Sequence, residues 1–415
     1  MKIVILHQYF LTAETSGNTR AYDLSRLLIE LGHQVTLITS SGFVEQKTNK
    51  IWSEIQLDGI TIKILKTLKY DNSKSYFLRV LEFLYFAILA SIRLVFIKTD
   101  LVIVSSPPLT IGIPALVKKY WDGTDYFFEA RDVWPEAAIA IGALKNKLLK
   151  RIAIKLEAMV YCGSSHIIPL SVDMESSILR RFDKNSLNTT VIENIALVDM
   201  FSKRMKDHGT DLKRDLQKEG SFSIVYAGAF GDVNGLEYVI RLAYELRKRD
   251  GDINFYLYGK GKQKEQIIAL AKSLKVLDKN VFFKDPVSKA VLPCIYSQVE
   301  MGSSFVISIS ELWANSANKF FDSLAAGRPV LINYGGWQSD LIKSANVGYV
   351  LPSKVEELNE VILDDFIRYC SKKELHQIQR ENALKLSQNF SYQNFKVKYG
   401  TILQDYFQNK VLAPH

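Results

Sequence analysis

Lys319 and Asp322 lie in the segment of this chain whose residue types point most directly to chemistry, ELWANSANKFFDSLAAGRPVLINYGG. A helix predicted to begin near Ser316 or Asn318 presents unpaired backbone N–H groups, which favour an anion such as a diphosphate. A lysine in the first turn opposes the helix dipole, and a bound phosphate would offset that cost. Asp322 follows three residues later on the same side of the helix, where a carboxylate can accept hydrogen bonds from a ribose diol. The alternative is a solvated ion pair between these two side chains.

The elements that would position this segment alternate between strand and helix signals. Apolar runs such as KIVILHQYF, DLVIVSSPP and SFSIVYAGAFG predict strands, and LEYVIRLAYELRKR has the spacing of an amphipathic helix. This rhythm predicts an α/β fold with parallel sheets covered on both faces. It breaks in the polar stretch 199–220 and then restarts. We predict two Rossmann-like, doubly wound domains facing a cleft, with C-terminal helices docking back on the first domain. The predicted boundaries are 1–200 for the first domain, 201–220 for a linker, 221–375 for the second domain and 376–415 for a helical tail.

Ligands of open α/β sheets bind beyond the carboxyl ends of the strands. With two such domains, the cleft between them is the expected site. The loops predicted to line it are 8–20, 105–109, 129–136, 228–235, 259–262, 308–318 and 334–337.

The composition restricts the class of protein. With 415 residues, 47% hydrophobic and 23% charged, the chain is typical of a globular protein of two or three domains. Three widely spaced cysteines give neither a disulfide framework nor a zinc motif, which favours a reducing compartment. The apolar run at the N-terminus is too short for a signal peptide. We therefore expect a cytoplasmic protein.

The net charge of +9 invites an anionic partner. Residues 60–98 carry seven basic and two acidic residues around an apolar run, and residues 145–155 carry five basic residues and no acid. From Phe83 to Ile92 ten uncharged residues follow one another, too few to cross a bilayer. This window suits a membrane-surface helix, with a core helix as the alternative. The sequence has no helix-turn-helix, RNA-recognition or zinc-finger pattern, so nucleic acid is not an expected partner.

Several segments resemble the retaining GT-B glycosyltransferases of family 4, the group 1 glycosyl transferases. SGNTRAYDLSRLLIELGHQVTLITS resembles the family's first glycine loop, helix and second strand. VIENIALVDMF resembles its interdomain segment, and IVYAGAFGDVNGLEYVI resembles the first strand of its donor domain. FEARDVWPEAA is similar to a narrower branch that builds bacterial O-antigen and capsule repeats and includes N-acetyl-fucosamine transferases. The resemblance covers most of the chain and implies the GT-B fold.

The resemblance also implies roles in binding the donor. Asp322 matches the second acid of the family's EX7E motif, which would hold the donor ribose, whereas the first acid falls at Ala314. Glu311, Asn315 or Ser316 could replace that missing acid. The loop GAFGDVNG lacks the family's phosphate-binding Arg and Lys, which leaves the phosphates to Lys319, backbone amides and a nearby lysine. The donor-binding residues implied are Gly17, Gly228, Gly231, Lys262, Ser316, Asn318, Lys319 and Asp322.

The family resemblance also implies which residues act on the acceptor. Arg131 falls where the family often has His, followed by Asp132. Asp132 or Glu129 would accept the proton of the acceptor hydroxyl. The catalytic residues expected are Asp132, Glu129, Arg131 and Lys319. GT-B enzymes of this type need no metal, and no cofactor is expected beside a UDP-sugar donor.

Together these observations predict a retaining glycosyltransferase. It would move a sugar, of the N-acetylhexosamine type, from a UDP-sugar to a lipid-linked acceptor of the undecaprenyl diphosphate type. The pathway expected is O-antigen or capsule synthesis, on the cytoplasmic face of the plasma membrane, with peripheral contact to anionic lipid. Two alternatives stay open, a GT-B-fold UDP-sugar 2-epimerase and a non-catalytic nucleotide-sugar or membrane-binding module.

Overall fold

The computed structural model describes residues 1–15, 17–42, 50–67, 76–182, 187–207 and 221–412. Most of the predicted linker, residues 208–220, lies outside the described residues. Lys69 and Lys74, two of the seven basic residues in the range 60–98, lie outside the described residues as well. The predicted domain boundaries therefore stay a prediction, and the two domains are named below by the sheets on which they are built.

The first domain is built on a sheet that has seven strands within the described ranges, in the order β3-β4-β2-β1-β5-β6-β7. All neighbours are parallel except the edge pair β3 and β4. Central strands such as LVIVS and YFFEA are buried along their whole length, as expected where helices cover both faces. The strands are β1 (Lys2–Leu6), β2 (Gln34–Ser40), β3 (Trp52–Leu57), β4 (Ile60–Leu65), β5 (Leu101–Ser105), β6 (Tyr126–Ala130) and β7 (His166–Pro169). The helices are α1 (Arg20–Glu30), α2 (Tyr76–Val95), α3 (Gly112–Asp122), α4 (Glu136–Ala140), α5 (Lys147–Gly163) and α6 (Val172–Arg181). The next helix, α7 (Val198–Asp207), packs through Phe201 into the core of the second domain.

The second domain is built on a parallel sheet with six strands in the part of the chain that the structure describes, in the order β10-β9-β8-β11-β12-β13. Its strands are β8 (Phe222–Ala227), β9 (Ile253–Tyr258), β10 (Val281–Lys284), β11 (Met301–Ser304), β12 (Val330–Ile332) and β13 (Gly348–Val350). The helices that follow are α8 (Leu236–Arg247), α9 (Lys264–Ser273), α10 (Leu292–Ser297), α11 (Asn318–Ala325), α12 (Trp337–Ala345), α13 (Glu360–Ser371), α14 (Lys373–Ser387) and α15 (Tyr392–Leu412). Both sheets confirm the predicted α/β, doubly wound fold.

Two helix layers cover the first sheet. On one face, α2, α3 and α5 pack against Val102 and Val104. On the other face, α1 and α15 pack against Ile3 and Ile5. Helix α15 thus docks back on the first domain, as predicted, whereas Ala383 of α14 is buried in the core of the second domain. The predicted tail 376–415 is therefore divided between the two cores.

The loops at the carboxyl ends of the two sheets meet between the domains. The backbone N–H of Lys289 donates to the Thr15 carbonyl (3.1 Å), and the Ala290 N–H donates to the Ala13 carbonyl (3.2 Å). This contact brings the first glycine loop against the loop after β10. Within the described residues, no helix is both long and apolar enough to cross a membrane.

Candidate active site

The start of α11 carries the cation that the sequence singled out. Helix α11 begins at Asn318, so Lys319 lies in its first turn. The Lys319 ammonium group is 4.8 Å from the centroid of the Tyr226 ring, and a side chain at Gly228 would collide with Lys319 Cε. Burial lowers the pKa of Lys319 to about 8, partly opposed by the charge of Asp322, because an ammonium group loses hydration when it is buried. Glycine at position 228 is therefore what lets this lysine lie over the turn that follows β8.

A cavity of about 320 Å³ opens where the loops of the two domains meet. The first domain contributes Asn18, Arg131, Asp132 and Asn194 to its wall, and the second domain contributes Asn315, Ser316, Asn318 and Lys319. This volume lies within the range of small-molecule sites. Five residues that the sequence analysis selected from distant parts of the chain line this one cavity, namely Arg131, Asp132, Ser316, Asn318 and Lys319.

Several polar atoms at this cavity lack a partner. Among the described residues, no hydrogen bond reaches the buried Asn194 Oδ1, Asn315 Oδ1 or Ser316 Oγ. The Asn194 Nδ2 group donates to the Ser316 carbonyl (2.7 Å), which joins the two domains beside these atoms. Because buried polar groups cost free energy when they are not hydrogen-bonded, rotation of these side chains towards a ligand with donor groups in the adjacent cavity would be favourable.

Arg131 is held in the cavity wall by His7 and Ser105. An NH1 group of Arg131 lies 3.4 Å from His7 Nε2 and 3.4 Å from Ser105 Oγ. His7 Nδ1 is 2.9 Å from the Ser105 carbonyl, which can only accept, so this nitrogen carries the proton and Nε2 accepts from Arg131. Burial and the neighbouring Arg131 charge lower the pKa of His7 to about 3. His7 is therefore neutral at physiological pH and orients the guanidinium group.

Asp132 has the properties of a proton acceptor. Burial raises the pKa of Asp132 to about 6, and the Arg131 charge opposes part of that rise. A carboxylate with a pKa near 6 is ionised at neutral pH and is a stronger base than an ordinary aspartate. Its position in the cavity wall places this base where an acceptor hydroxyl could reach it.

Glu129 is placed differently from the prediction. Its carboxylate is buried and accepts from Arg20 Nε at 2.8 Å and from the Tyr399 hydroxyl. Burial alone would raise the pKa of Glu129, but the Arg20 charge and the Tyr399 hydrogen bond outweigh it and lower the pKa. This corrects the assignment of Glu129 as a proton acceptor, since a carboxylate enclosed in an ion pair cannot reach a hydroxyl in the cavity. Its role is to join α1, β6 and α15.

Asp322 also lies away from the cavity. Its buried carboxylate forms an ion pair with Lys289 Nζ, and both side chains are 7% exposed. The predicted alternative, an ion pair between Lys319 and Asp322, is therefore replaced by one with Lys289. This corrects the expectation that the Asp322 carboxylate faces a donor ribose.

The predicted glycine loops that contain Gly17 and Gly231 reach the cavity through asparagine residues close to these glycines. Gly17 has a backbone φ of 135°, and the next residue, Asn18, donates from Nδ2 to Asn318 Oδ1 (3.0 Å) across the two domains. The Gly231 N–H donates to Asn234 Oδ1 (3.2 Å), and Asn234 lines the cavity. Both loops therefore place an asparagine side chain in the cavity wall.

The structure does not bring Lys262 or Glu311 into the cavity wall. Lys262 forms a surface ion pair with Asp232 at 3.2 Å, in which both side chains are more than half exposed. Glu311 is exposed and accepts from the Ser310 hydroxyl (3.1 Å). Of the three residues considered as replacements for the missing acid at Ala314, only Asn315 and Ser316 line the cavity.

Sequence reasoning missed Asn18, Asn194 and Lys289. Glu193 and Asn194 interrupt the otherwise apolar run VIENIALV, and polar residues in such a run were the available signal. Lys289 lies in the loop after β10, where one lysine among many gives no comparable signal.

Two facing Rossmann-like domains with a polar cleft between them define the GT-B fold, and comparisons with known proteins agree. Residues 209–385 match the family described as Glycosyl transferases group 1. No curated protein sequence matches this chain. The family match and the fold together support a glycosyltransferase.

Solved structures of similar fold extend over almost the whole chain. Sucrose-phosphate synthase from Thermosynechococcus elongatus superposes with a TM-score of 0.74 at 12% identity, covering 98% of this chain and 99% of that one. HepE from Anabaena, in complex with UDP and glucose, gives a TM-score of 0.69 at 14% identity, with coverage of 98% and 100%. WaaG, a glycosyltransferase involved in lipopolysaccharide biosynthesis, gives 0.65 at 14% identity, with coverage of 96% and 99%. At these identities the similarity shows the fold.

Proposed function

We propose that this protein is a retaining glycosyltransferase that moves a sugar from a UDP-sugar to a lipid-linked saccharide acceptor. The observation that carries the proposal is the single cavity lined both by Asp132 of the first domain and by Lys319 of the second. A transferase needs a cation for the leaving diphosphate and a base for the incoming hydroxyl within one enclosed space. HepE, of similar fold, has been solved with UDP and glucose, which supports a nucleotide-sugar donor here.

Lys319 and the start of α11 would stabilise the leaving group. Cleavage of the bond between the anomeric carbon and the diphosphate leaves the electron pair, and thus negative charge, on UDP. The Lys319 ammonium and the backbone N–H groups at the start of α11 are fixed before the reaction begins, so they stabilise that charge with little reorganisation. Asn315 and Ser316 line the cavity, and rotation of these side chains would let their Oδ1 and Oγ atoms, unpartnered among the described residues, accept hydrogen bonds from sugar hydroxyl or amide groups.

Asp132 would accept the proton that the acceptor hydroxyl loses as its oxygen bonds to the anomeric carbon. Arg131 adjoins Asp132 in the cavity wall and would keep this carboxylate ionised until the proton arrives. The neutral His7 fixes the Arg131 guanidinium, which makes His7 a positioning residue.

The finer assignment rests on the resemblance of FEARDVWPEAA to enzymes of bacterial surface polysaccharide synthesis. In this finer assignment the protein belongs to family 4 and uses an N-acetylhexosamine donor of the fucosamine type. Its acceptor is linked to undecaprenyl diphosphate, and it acts in O-antigen or capsule synthesis at the cytoplasmic membrane face. The similarity in fold to WaaG, which is involved in lipopolysaccharide biosynthesis, supports a role in the synthesis of a surface polysaccharide.

Purified protein incubated with radiolabelled UDP-sugars and a bacterial lipid extract should give a labelled lipid product. The Asp132→Asn variant serves as the matched control, because it keeps the shape of the side chain and removes its basicity. Release of a free epimerised sugar would support the 2-epimerase instead, and bound but unconverted donor would support a binding module.

A further inference from the structure

The outer surface of the α2–α3–α5 layer is unusually apolar. Ile88 and Ile92 of α2 are 58% and 55% exposed, and Tyr120 and Trp121 of α3 are 81% and 70% exposed. On α5, large apolar side chains are exposed as well, namely Leu148, Leu149, Ile152 and Met159. Large exposed apolar side chains on neighbouring helices of a folded protein mark a surface that contacts another molecule or a membrane.

These three helices form one rigid layer. All three contribute to the same core on one face of the first sheet. The buried Lys118 of α3 donates to the Ile97 carbonyl (2.8 Å) just beyond α2, and its Nζ pairs with Asp122 at 2.6 Å. A side chain at Gly112 of α3 would collide with Val160 of α5, so these two helices pack closely. Their outward side chains therefore present one surface, which we name the α2–α3–α5 face.

A row of cations runs beside the apolar residues of this face. Lys147, Arg151 and Lys155 recur every four residues on α5 and are exposed, alongside the stripe that contains Leu148 and Ile152. Among the described residues, none of these three cations forms an ion pair with an acid. A face that joins unneutralised cations to aromatic and aliphatic side chains is complementary to an anionic bilayer, whose head groups attract cations and whose interface favours Trp and Tyr.

We infer that the α2–α3–α5 face lies in the plane of an anionic membrane, with Tyr120 and Trp121 inserted at the head-group level. The inference deepens the proposed function and rests on it for the lipid-linked acceptor. Pro107, which lines the cavity, precedes α3 by five residues, so the helix leads from the cleft towards the membrane-facing aromatic pair. The start of α3 is the part of this face nearest to the cleft, and there a bilayer along the face would bring a lipid-linked acceptor close to the cavity.

Vesicle sedimentation with the full-length protein, and with no sugar present, tests whether an anionic membrane is the partner of the α2–α3–α5 face. Wild type should bind vesicles of phosphatidylglycerol and phosphatidylcholine, and bind vesicles of phosphatidylcholine alone much more weakly. Each basic residue near an anionic surface strengthens binding about fivefold, so K147Q/R151Q/K155Q should weaken binding to the anionic vesicles on the order of a hundredfold. Tyr120→Ser with Trp121→Ser should weaken binding to both kinds of vesicle.

The matched control neutralises three exposed lysines of the second domain, Lys272→Gln, Lys275→Gln and Lys343→Gln, for the same change in net charge. It should bind like wild type. An equal loss in this control, or vesicle binding unchanged by both variants of the α2–α3–α5 face, overturns the inference. A wild-type dimer that Trp121→Ser converts to a monomer also overturns the inference, because the α2–α3–α5 face would then bind a second copy of this chain. Transfer to detergent-dispersed acceptor should persist in every variant; if wild type binds vesicles but transfers no sugar, the proposed function fails and the membrane face stands.

Discussion

Replacing Lys319 by methionine should stabilise the free protein and weaken UDP binding at the same time. The pKa of Lys319 falls from 10.5 in an exposed lysine to about 8 in the folded chain, and one pKa unit corresponds to about 1.36 kcal/mol. Burial of the charge therefore costs about 3 kcal/mol at neutral pH. The contact of its ammonium with the Tyr226 ring returns about 0.5 to 2 kcal/mol. Methionine preserves length and apolar packing, so Lys319→Met should raise the free energy of unfolding by about 1 to 3 kcal/mol.

The size of this effect changes with pH in a way that identifies its cause. Below about pH 8, Lys319 is protonated in both folded and unfolded chains, and the full cost is present. Between about 8 and 10.5 the unfolded chain binds more protons than the folded chain, so wild type gains stability as pH rises. The stability difference between variant and wild type should therefore be largest at pH 7 and should shrink towards pH 10, as measured by urea unfolding.

UDP binding should change in the opposite direction. Loss of a charged hydrogen bond to the diphosphate costs about 1.5 to 3 kcal/mol, a weakening of about 10- to 150-fold in a titration calorimeter. Wild-type affinity should also fall above about pH 8, because free Lys319 then loses its proton. Lys272→Met, on the exposed side of α9, is the matched control and should change neither quantity. A less stable Lys319→Met variant would refute the electrostatic argument, and unchanged UDP affinity would remove Lys319 from the donor site.

Three further changes separate catalytic from structural roles. Asp132→Asn should lower kcat by about 100-fold or more with UDP affinity within about threefold, and wild-type kcat should fall as pH drops below about 6, where Asp132 is protonated; an unchanged kcat in a transfer assay would contradict a proton-acceptor role. Glu129→Gln should destabilise the fold by about 3 to 5 kcal/mol, because it leaves the buried Arg20 unpaired; a variant with normal thermal stability and a selective loss of kcat would restore the catalytic assignment. Gly228→Ala should displace Lys319 and weaken UDP binding about tenfold or more, and calorimetry that finds wild-type affinity would show that the lysine does not need this space.

The order of elements and the start of α11 could be predicted because their signals are local. Continuous apolar runs such as LVIV predict buried parallel strands, and the helix that begins at Asn318 follows from turn and helix signals within a few residues. The loops at strand ends could be expected to meet because parallel strands bring their carboxyl ends to one edge. The cavity that Arg131, Asp132 and Lys319 line lies at such an edge.

The partners of the buried charges could not be predicted, because they come from distant parts of the chain. Glu129 is 109 residues from Arg20 and 270 residues from Tyr399, and Asp322 is 33 residues from Lys289. The residues next to an acidic residue in the sequence do not predict whether a distant cation will pair with it. Spacing alone made Glu129 and Asp132 equivalent, although one is enclosed and the other faces the cavity.

That difference gives a physical criterion for the site. Glu129 and Asp322 are each buried beside a cation of this chain, so folding itself compensates their charges and a ligand adds nothing. Lys319 and Asp132 are partly buried, and loss of hydration shifts their pKa values towards the neutral forms, so the free protein carries the cost of both charges without full compensation. A diphosphate next to Lys319 and a hydroxyl proton delivered to Asp132 would each remove that cost. Charges that folding leaves uncompensated are therefore the ones through which a bound substrate can gain free energy, and in this chain two of them lie on opposite sides of one interdomain cavity.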